Sequence, residues 1–541
     1  MESVEIVLAM LLAVVASGYV ARVLPLPLPL VQIAMGAVIT GALGRGIEMD
    51  PDMFFLLFLP PLLFLDGWRI PKDGLLRDKA TILELALGLV LFTVVGAGFL
   101  IHWLIPAMPL AVAFALAAII SPTDPVAVSS ITERVPVPKR VMHILEGESL
   151  LNDATGLVCF RFAVAAALTG SFSPASASLT FLWLALGGVG AGVGVTLAIT
   201  SAQRWLSGHI GEQSGTPILI NLLIPFGAYL LAERIHASGI LAAVAAGITM
   251  SYVELSGRAL AATRLQRAAV WSTMQLALNG IVFVLLGEQL PGILRGAMAS
   301  AGRDGGTNAW WLAAYALAIS VGLALLRLAW VWASLRLTLF RARRREQPVV
   351  KPPLRLILAM SLAGVRGALT LAGIMTLPLL MPDGTAFPAR DLAIFLATAV
   401  ILLSLVTASI ALPHLLKDLE LPEEPAEHLE EDDARRAAAG AAIAAVERAR
   451  RRLAREAEHT DLHSQAAARV MSIYQQRLGG TENAGDAARL RRDEDVERSL
   501  RLAALQAERD AVFRLARQGR ISDETSRRLV REVDLAESRY R

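Results

Sequence analysis

Two short stretches, "SPTDPVAV" at residues 121–128 and "GESLLNDATG" at residues 147–156, carry carboxylates inside otherwise apolar runs. An ionisable side chain in hydrocarbon costs several kcal/mol and persists only with a partner or a task. In the first stretch Pro122 and Pro125 flank Thr123 and Asp124. Prolines remove backbone donors and prevent a regular helix, so carbonyls are left unpaired beside the Asp124 carboxylate. Such oxygens are hard ligands suited to a desolvated alkali cation. A proline kink with Asp124 capping the next half-helix is the plainer structural reading, and both can hold together. In the second stretch, at about 100° per residue, Ser149 and Asp153 share one helix face while Glu148 and Asn152 share the next. Glu148 and Asp153 then point about 140° apart. That separation implies two tasks: one carboxylate neutralised inside the protein, the other facing a cavity and exchanging a proton. A permanent cation for Glu148 is offered by Arg366 in "LAGVRGALTLAGI", and a paired buried Glu can act as a brace where a lone one would be strongly destabilising.

The elements that must position these residues follow from composition. The chain has 541 residues, 55% hydrophobic and 18% charged, with mean hydropathy +0.54. That much apolar surface does not fit ordinary soluble domains, and the reading is an all-α polytopic membrane protein. A net charge of +3 is too small to suggest a nucleic-acid partner. The single cysteine, Cys159, excludes intramolecular disulfides and reads as packing. The acidic N-terminus "MESVEIVLAMLL" does not read as a cleavable signal but as the start of a first span. With about 20 apolar residues per span, the chain parses into about 13 transmembrane helices, at 4–23, 28–45, 52–69, 80–105, 107–132, 141–169, 177–202, 215–234, 237–253, 266–290, 308–340, 353–380 and 390–415. Placing the N-terminus outside puts 19 Lys and Arg in inner loops against 5 in outer ones, which predicts a cytoplasmic C-terminus in a plasma (inner) membrane protein. The expected division is a transmembrane domain over 1–415 and a cytoplasmic helical domain over 416–541. The latter reads as a solvated appendage of amphipathic Ala-, Glu- and Arg-rich helices with no nucleotide or metal signature.

The motifs "LPPLLFLDGW", "SPTDPVAV", "GESLLNDATG", "AERIHASGILAAVAAG" and "GVRGALTLA" stand in the order and spacing of the monovalent cation:proton antiporters, and the chain resembles the NhaP/NHE branch of the sodium/proton exchangers over about residues 1–415. The resemblance implies inverted repeats over spans 1–6 and 8–13, a dimerisation bundle, and two crossed, interrupted helices, so that span 5 meets span 12. It implies a Na+ site at Asp153, Asp124, Ser149 and Thr123, with Asn152 beside it and Thr123 contributing backbone oxygen, braced by a Glu148–Arg366 ion pair. It implies a homodimer with no cofactor, its cargo being the cation and H+. Many relatives place an acid three positions after the second proline of the Pro-Pro motif, where this chain has Phe64, Leu65 and then Asp66. That one-residue shift, about 100° of helix, leaves Asp66 either at the site or as a solvated carboxylate near the end of span 3. Glu233 with His236, Arg161, Arg327 and Asn279 are further polar residues in or near spans, with packing or pairing roles as the plainer reading.

The chemistry expected is competition at one carboxylate. An aspartate partly withdrawn from water holds a proton or a cation near neutral pH but not both, and alternating access then couples two gradients. Because Asn152 is neutral where electrogenic relatives have a second aspartate, the exchange is expected to be electroneutral. An enzyme is not expected: an intramembrane aspartyl protease would also use two membrane aspartates, but the Gly-x-Gly-Asp signature of one such group is absent. A cation channel would use the same oxygens without needing a proton-exchanging carboxylate. Exchange of K+ rather than Na+ is the nearest alternative, since selectivity among hard cations depends on cavity size and ligand number.

Overall fold

The computed structural model describes residues 2–24, 26–43, 51–70, 83–124, 128–129, 139–170, 174–210, 215–254, 261–303, 309–344, 353–417, 425–456, 465, 467–472, 475, 484–518, 520 and 523–538. Among these the regular structure is helical, apart from one antiparallel bridge between Leu380 and Ala386. It divides into two compact units, Met1–Leu419 and Glu420–Arg541.

The first unit begins with α1 (Glu2–Val23), α2 (Leu28–Leu43) and α3 (Pro51–Arg69). A π-helical turn, Glu84–Leu89, leads into α4 (Val90–Leu104), followed by α5 (Leu110–Ile120), α6 (Lys139–Thr169) and α7 (Pro174–Ile210). Then come α8 (Thr216–Arg234), α9 (Gly239–Glu254), α10 (Ala261–Arg303), α11 (Ala309–Arg344), α12 (Leu354–Leu362), α13 (Ala368–Met375) and α14 (Arg390–Leu416). Seven described helical segments are long and apolar enough to cross a membrane, and four shorter apolar helices accompany them. The span expected over 353–380, one of the two crossed helices, is two short helices separated by Ala363–Gly367. Two glycines within four residues make continuation expensive, and the break places Arg366 outside any helical ladder. The span expected over 107–132 is likewise helical only to Ile120 before the Ser121–Asp124 stretch, as prolines at 122 and 125 require; residues 125–127 and 130–132 lie outside the described set.

The two interruptions cross. The Asp124 amide donates to the Val365 carbonyl at 2.7 Å, and Arg366 Nε donates to the Ile120 carbonyl at 3.0 Å. Each broken strand thus satisfies backbone groups that its own helix abandoned, which is how irregular backbone survives at membrane depth. Buried side chains fall into three packed regions. One unites α4, α5, α6 and α11–α14. The second unites α1, α3, α9 and α10 with Ala154 of α6 and Ala372 of α13, and the third unites α3 and α7–α9 with Trp271 of α10. Helix α10 gives Phe283 and Leu286 to the first region and Val282, Val284 and Leu285 to the second, so it lies along the seam. Glycines set the closest approaches: Gly67 of α3 and Gly247 of α9 face each other's backbone, as do Gly287 of α10 and Gly36 of α2.

The second unit contains α15 (Pro425–Glu456), α16 (Ala484–Arg517) and α17 (Asp523–Glu537). α17 packs on α16 through Val533 and an ion pair of Arg509 with Asp534 at 2.8 Å and with Glu537. The two carboxylates raise the Arg509 pKa further above its ordinary range, so this clasp stays charged wherever the acids are ionised.

Candidate functional site

At the seam beside the crossing lies a cavity of about 70 Å³. Asp66 of α3, Thr123 and Asp124 of the broken segment, Ser149 and Asp153 of α6, and Gln275 and Asn279 of α10 line it, with Gly367, Leu369 and Thr370 at the start of α13. Ser149 and Asp153 share the cavity as their i, i+4 spacing requires. The half-buried state of Asp66, Asp124 and Asp153 contrasts with the nearly complete burial of Glu148 and Asn152. Asp66 therefore belongs to the cavity: the one-residue shift along α3 is absorbed without removing it from the lining. The three aspartates line one cavity, and among the described residues no group of three or more His, Cys, Asp or Glu is placed to hold a metal ion by itself.

Glu148 points away from the cavity into a second, closed network. Its carboxylate accepts a bidentate pair of bonds from Arg327 of α11, at 2.5 and 2.9 Å, with the two side chains 1% and 3% exposed. The expected partner, Arg366, is corrected to Arg327. Arg366 spends its donors elsewhere, Nε on the Ile120 carbonyl and Nη1 on the Gly364 carbonyl. Those carbonyls lie at the C-terminal ends of α5 and α12, where unpaired acceptors leave roughly half a negative charge at each helix end. Arg327 also donates to the Met360 carbonyl in the last turn of α12, at 3.1 Å. Two arginines are thus balanced by one glutamate together with two helix ends, a requirement invisible to any pairwise reading of the sequence.

The network continues to the broken segment. The Thr123 hydroxyl donates to Glu148 Oε1 at 3.2 Å and accepts from Asn152 Nδ2 at 3.0 Å. Asn152 is 1% exposed and is not among the cavity-lining residues. Expected as a residue of the ion site, it lies outside the cavity lining and holds Thr123, and hence the stretch that carries Asp124. On the opposite side, Asp124 packs against Gly367, which precedes α13; a Cβ there would lie 2.6 Å from the Asp124 Cβ and 2.7 Å from its Cγ. A carboxylate at the start of α13 meets the positive end of that helix.

Sequence reasoning left Arg327 as a pairing or snorkelling residue, although its place deep inside a long apolar run marks it as clearly as Arg366. It missed Gln275, which sits one turn before Asn279 on the same face of α10, and Thr370 in the first turn of α13. Asn279 does line the cavity. Far from the cavity along α6, Arg161 lies 3.9 Å from Glu233, whose Oε1 also accepts from the Gly239 amide, while the exposed His236 adopts a left-handed φ of 53°.

The family model described as "Sodium/hydrogen exchanger, transmembrane" matches residues 7–418. The chain is 42% identical, over 99% of each chain, to the protein named "Uncharacterized Na(+)/H(+) exchanger YjcE" of Escherichia coli (strain K12). It is 44% identical to the "Sodium, potassium, lithium and rubidium/H(+) antiporter" of Bacillus pumilus (strain SAFR-032), across 77% of this chain and 61% of that one. Its fold is similar to that of the sodium proton antiporter MjNhaP1 from Methanocaldococcus jannaschii, with TM-score 0.58 at 19% identity, covering 79% of this chain and 99% of that one. A multi-pass helical chain matched by that family across its whole membrane unit, and by relatives along its full length, belongs to the sodium/hydrogen exchanger family of transporters.

Proposed function

We propose that the protein is a secondary active antiporter that exchanges Na+ for H+ by alternating access, with proton and cation competing for Asp153. The observation that carries this reading is the convergence of Asp153, Asp124, Ser149 and Thr123 on one cavity at the crossing of two broken helices. Its volume of about 70 Å³ exceeds the ~10–15 Å³ that a cavity needs to hold one water, room for a cation that keeps part of its hydration. Asp153 is the exchanging group. It faces the cavity from a continuous helix, with no ion-pair partner among the described residues, whereas Glu148 is held by Arg327. Asp124 stays in one charge state through the cycle, supported by the start of α13, so each turnover trades one positive charge for one and the exchange is electroneutral.

The cavity's oxygens are numerous and only partly converged, a set that suits Li+ and K+ as well as Na+. The Bacillus relative, named for sodium, potassium, lithium and rubidium, supports the same breadth, and K+/H+ exchange is the second reading. The protein works in the plasma membrane as a homodimer, N-terminus outside and C-terminus in the cytoplasm. The test is proton movement in everted vesicles on adding Na+, Li+, K+ or Rb+ in turn. Cation flux with no proton movement would identify a channel and reject the proposal.

A further inference from the structure

Trp183 and Trp205 of α7 and Trp310 and Trp332 of α11 are all exposed, and the members of each pair stand 22 residues apart. At 1.5 Å per residue that is about 33 Å, and at 100° per residue the second ring lies within about 40° of the first. The hydrocarbon core of a bilayer is ~30 Å thick, and tryptophans gather at its two edges. Two helices thus mark the same membrane borders independently. On α11 the side between the rings is apolar and exposed at Leu317, Val321 and Leu325, whereas Arg327 is buried on the opposite side. Arg336 is exposed one turn beyond Trp332, past the border, and its guanidinium lies over the Trp332 ring at 4.8 Å from the centroid. Among the described residues Arg336 has no ion-pair partner. Glu84, the acid at this corner, accepts from Ser334 Oγ at 3.3 Å, on the side of α11 turned away from Trp332. The helix then runs on through the exposed Phe340 and the arginines at 341 and 343 to Arg344. The matching end of α7 is different. Arg204, beside Trp205, gives Nε to the Thr200 carbonyl and Nη2 to Ser201 Oγ, both at 3.1 Å.

We infer that Trp332 and Arg336 form a binding site for the phosphodiester headgroup of an anionic phospholipid. The ring marks the edge of the hydrocarbon, and Arg336 stands one helical turn, about 5.4 Å, farther out, at headgroup depth. A guanidinium stacked on an aromatic face keeps its planar fork of donors for a phosphate, and the stacking holds the side chain in place beforehand. The arginines that follow favour a lipid of net negative charge, since basic residues just outside a span are drawn to anionic headgroups. A zwitterionic lipid offers the same phosphate but carries a cation that this end of α11 repels. Loop charges that serve only to orient the chain need neither a stacked ring nor a place on the exposed side of the span. The site lies apart from the exchange cavity, on the helix whose Arg327 braces the crossing. A headgroup held there anchors that helix.

The experiment is the thermal midpoint of the full-length protein in mixed micelles, at one fixed scan rate. It is titrated with phosphatidylglycerol and, separately, with phosphatidylcholine, glycerol phosphate and inorganic phosphate. Phosphatidylglycerol should raise the wild-type midpoint well above the phosphatidylcholine value, and the two soluble phosphates should leave it unmoved. Arg336→Gln should need about fivefold more phosphatidylglycerol for half of the rise, the scale of one basic residue at a membrane surface. Arg336→Lys keeps the charge without the fork, and Trp332→Leu keeps the charge without the ring, so both should fall between. Arg204→Gln, whose guanidinium is already bonded within α7, should titrate like the wild type. All of these positions are at least partly open to solvent, and only variants with the wild-type midpoint before lipid is added are compared. An equal rise with phosphatidylcholine or with a soluble phosphate would overturn the inference. So would wild-type titration by Arg336→Gln, or an equal loss in Arg204→Gln. No proton movement is measured, so the antiport reading stands or falls separately.

Discussion

The pairing of Glu148 with Arg327 makes a quantitative prediction that the alternative pairing with Arg366 does not. Both side chains are almost fully buried and joined by two hydrogen bonds, so solvent screening is slight. Glu148→Gln or Arg327→Met alone leaves one buried charge without its partner, at a typical cost of about 3–5 kcal/mol. At about 2 °C per kcal/mol, the low end of the range for large units, each single variant should lose about 6–10 °C in thermal midpoint. The double variant removes both charges together, and replacing a whole buried pair is often close to neutral. It should fall short of the summed losses by about 3 kcal/mol, the upper end of measured coupling between contacting residues. Arg327 also caps the α12 carbonyl of Met360, so the double variant will not recover fully. The assay is a thermal melt in detergent at one fixed scan rate, since membrane units unfold irreversibly and only midpoints under equal conditions compare. A parallel cycle with Glu148→Gln and Arg366→Met should show much weaker coupling, because the donors of Arg366 go to Ile120 and Gly364. Additive losses in the Arg327 cycle, or strong coupling in the Arg366 cycle alone, would refute the assignment.

Three further outcomes are expected. Asp153→Asn keeps the shape of the side chain but cannot exchange a proton, so cation-driven proton movement should vanish in a protein that still folds; retained exchange removes Asp153 from its role. Gly367→Ala is compatible with the local backbone, φ −114°, but its Cβ would press on the Asp124 carboxyl, so a loss of about 1–3 kcal/mol and a raised cation KM are expected, with Gly18→Ala, which meets nothing within 4 Å, as the neutral control. Electroneutrality is checked by the reversal point of exchange under imposed potentials of ~100 mV: a cycle carrying one net charge would gain about 2.3 kcal/mol, so a reversal point that moves with voltage would show a second proton carrier, with Asp124 the first residue to replace.

Apolar run length and the paired prolines made the spans and the first interruption readable from the chain alone, because both are local properties of the backbone. Ser149 and Asp153 were readable for the same reason, being fixed on one face by helix geometry. What stayed hidden depends on the packing of distant elements. Arg366 and Arg327 are equally plausible partners for Glu148 by charge and span depth. The choice is made by where the ends of α5 and α12 leave unpaired carbonyls, and that depends on the crossing. Asn152 is adjacent to Asp153 in sequence yet faces the closed network, because one residue is about 100° of helix. Asp66 was ambiguous because its angle on α3 has meaning only once the seam with α10 is placed.

The two sets of charged groups differ in what a relative movement of the packed regions would do to them. Glu148, Arg327, Arg366, Thr123 and Asn152 lie on α6, α11 and the two broken segments, whose buried side chains belong mostly to one hydrophobic region, with Ala154 and Ala372 in the second. A displacement that moved this region as one body would carry their hydrogen bonds with it. The cavity is built otherwise: Asp153, Asp124, Ser149 and Thr370 come from that region, while Asp66, Gln275 and Asn279 come from helices α3 and α10 that pack with α1 and α9. The same displacement must change the distance between Asp66 and Asp153, and with it the mutual repulsion of their carboxylates. If Asp153 exchanges proton and cation as proposed, that change in distance alters its affinity for both, whereas the arginine network spans elements that pack largely in one region.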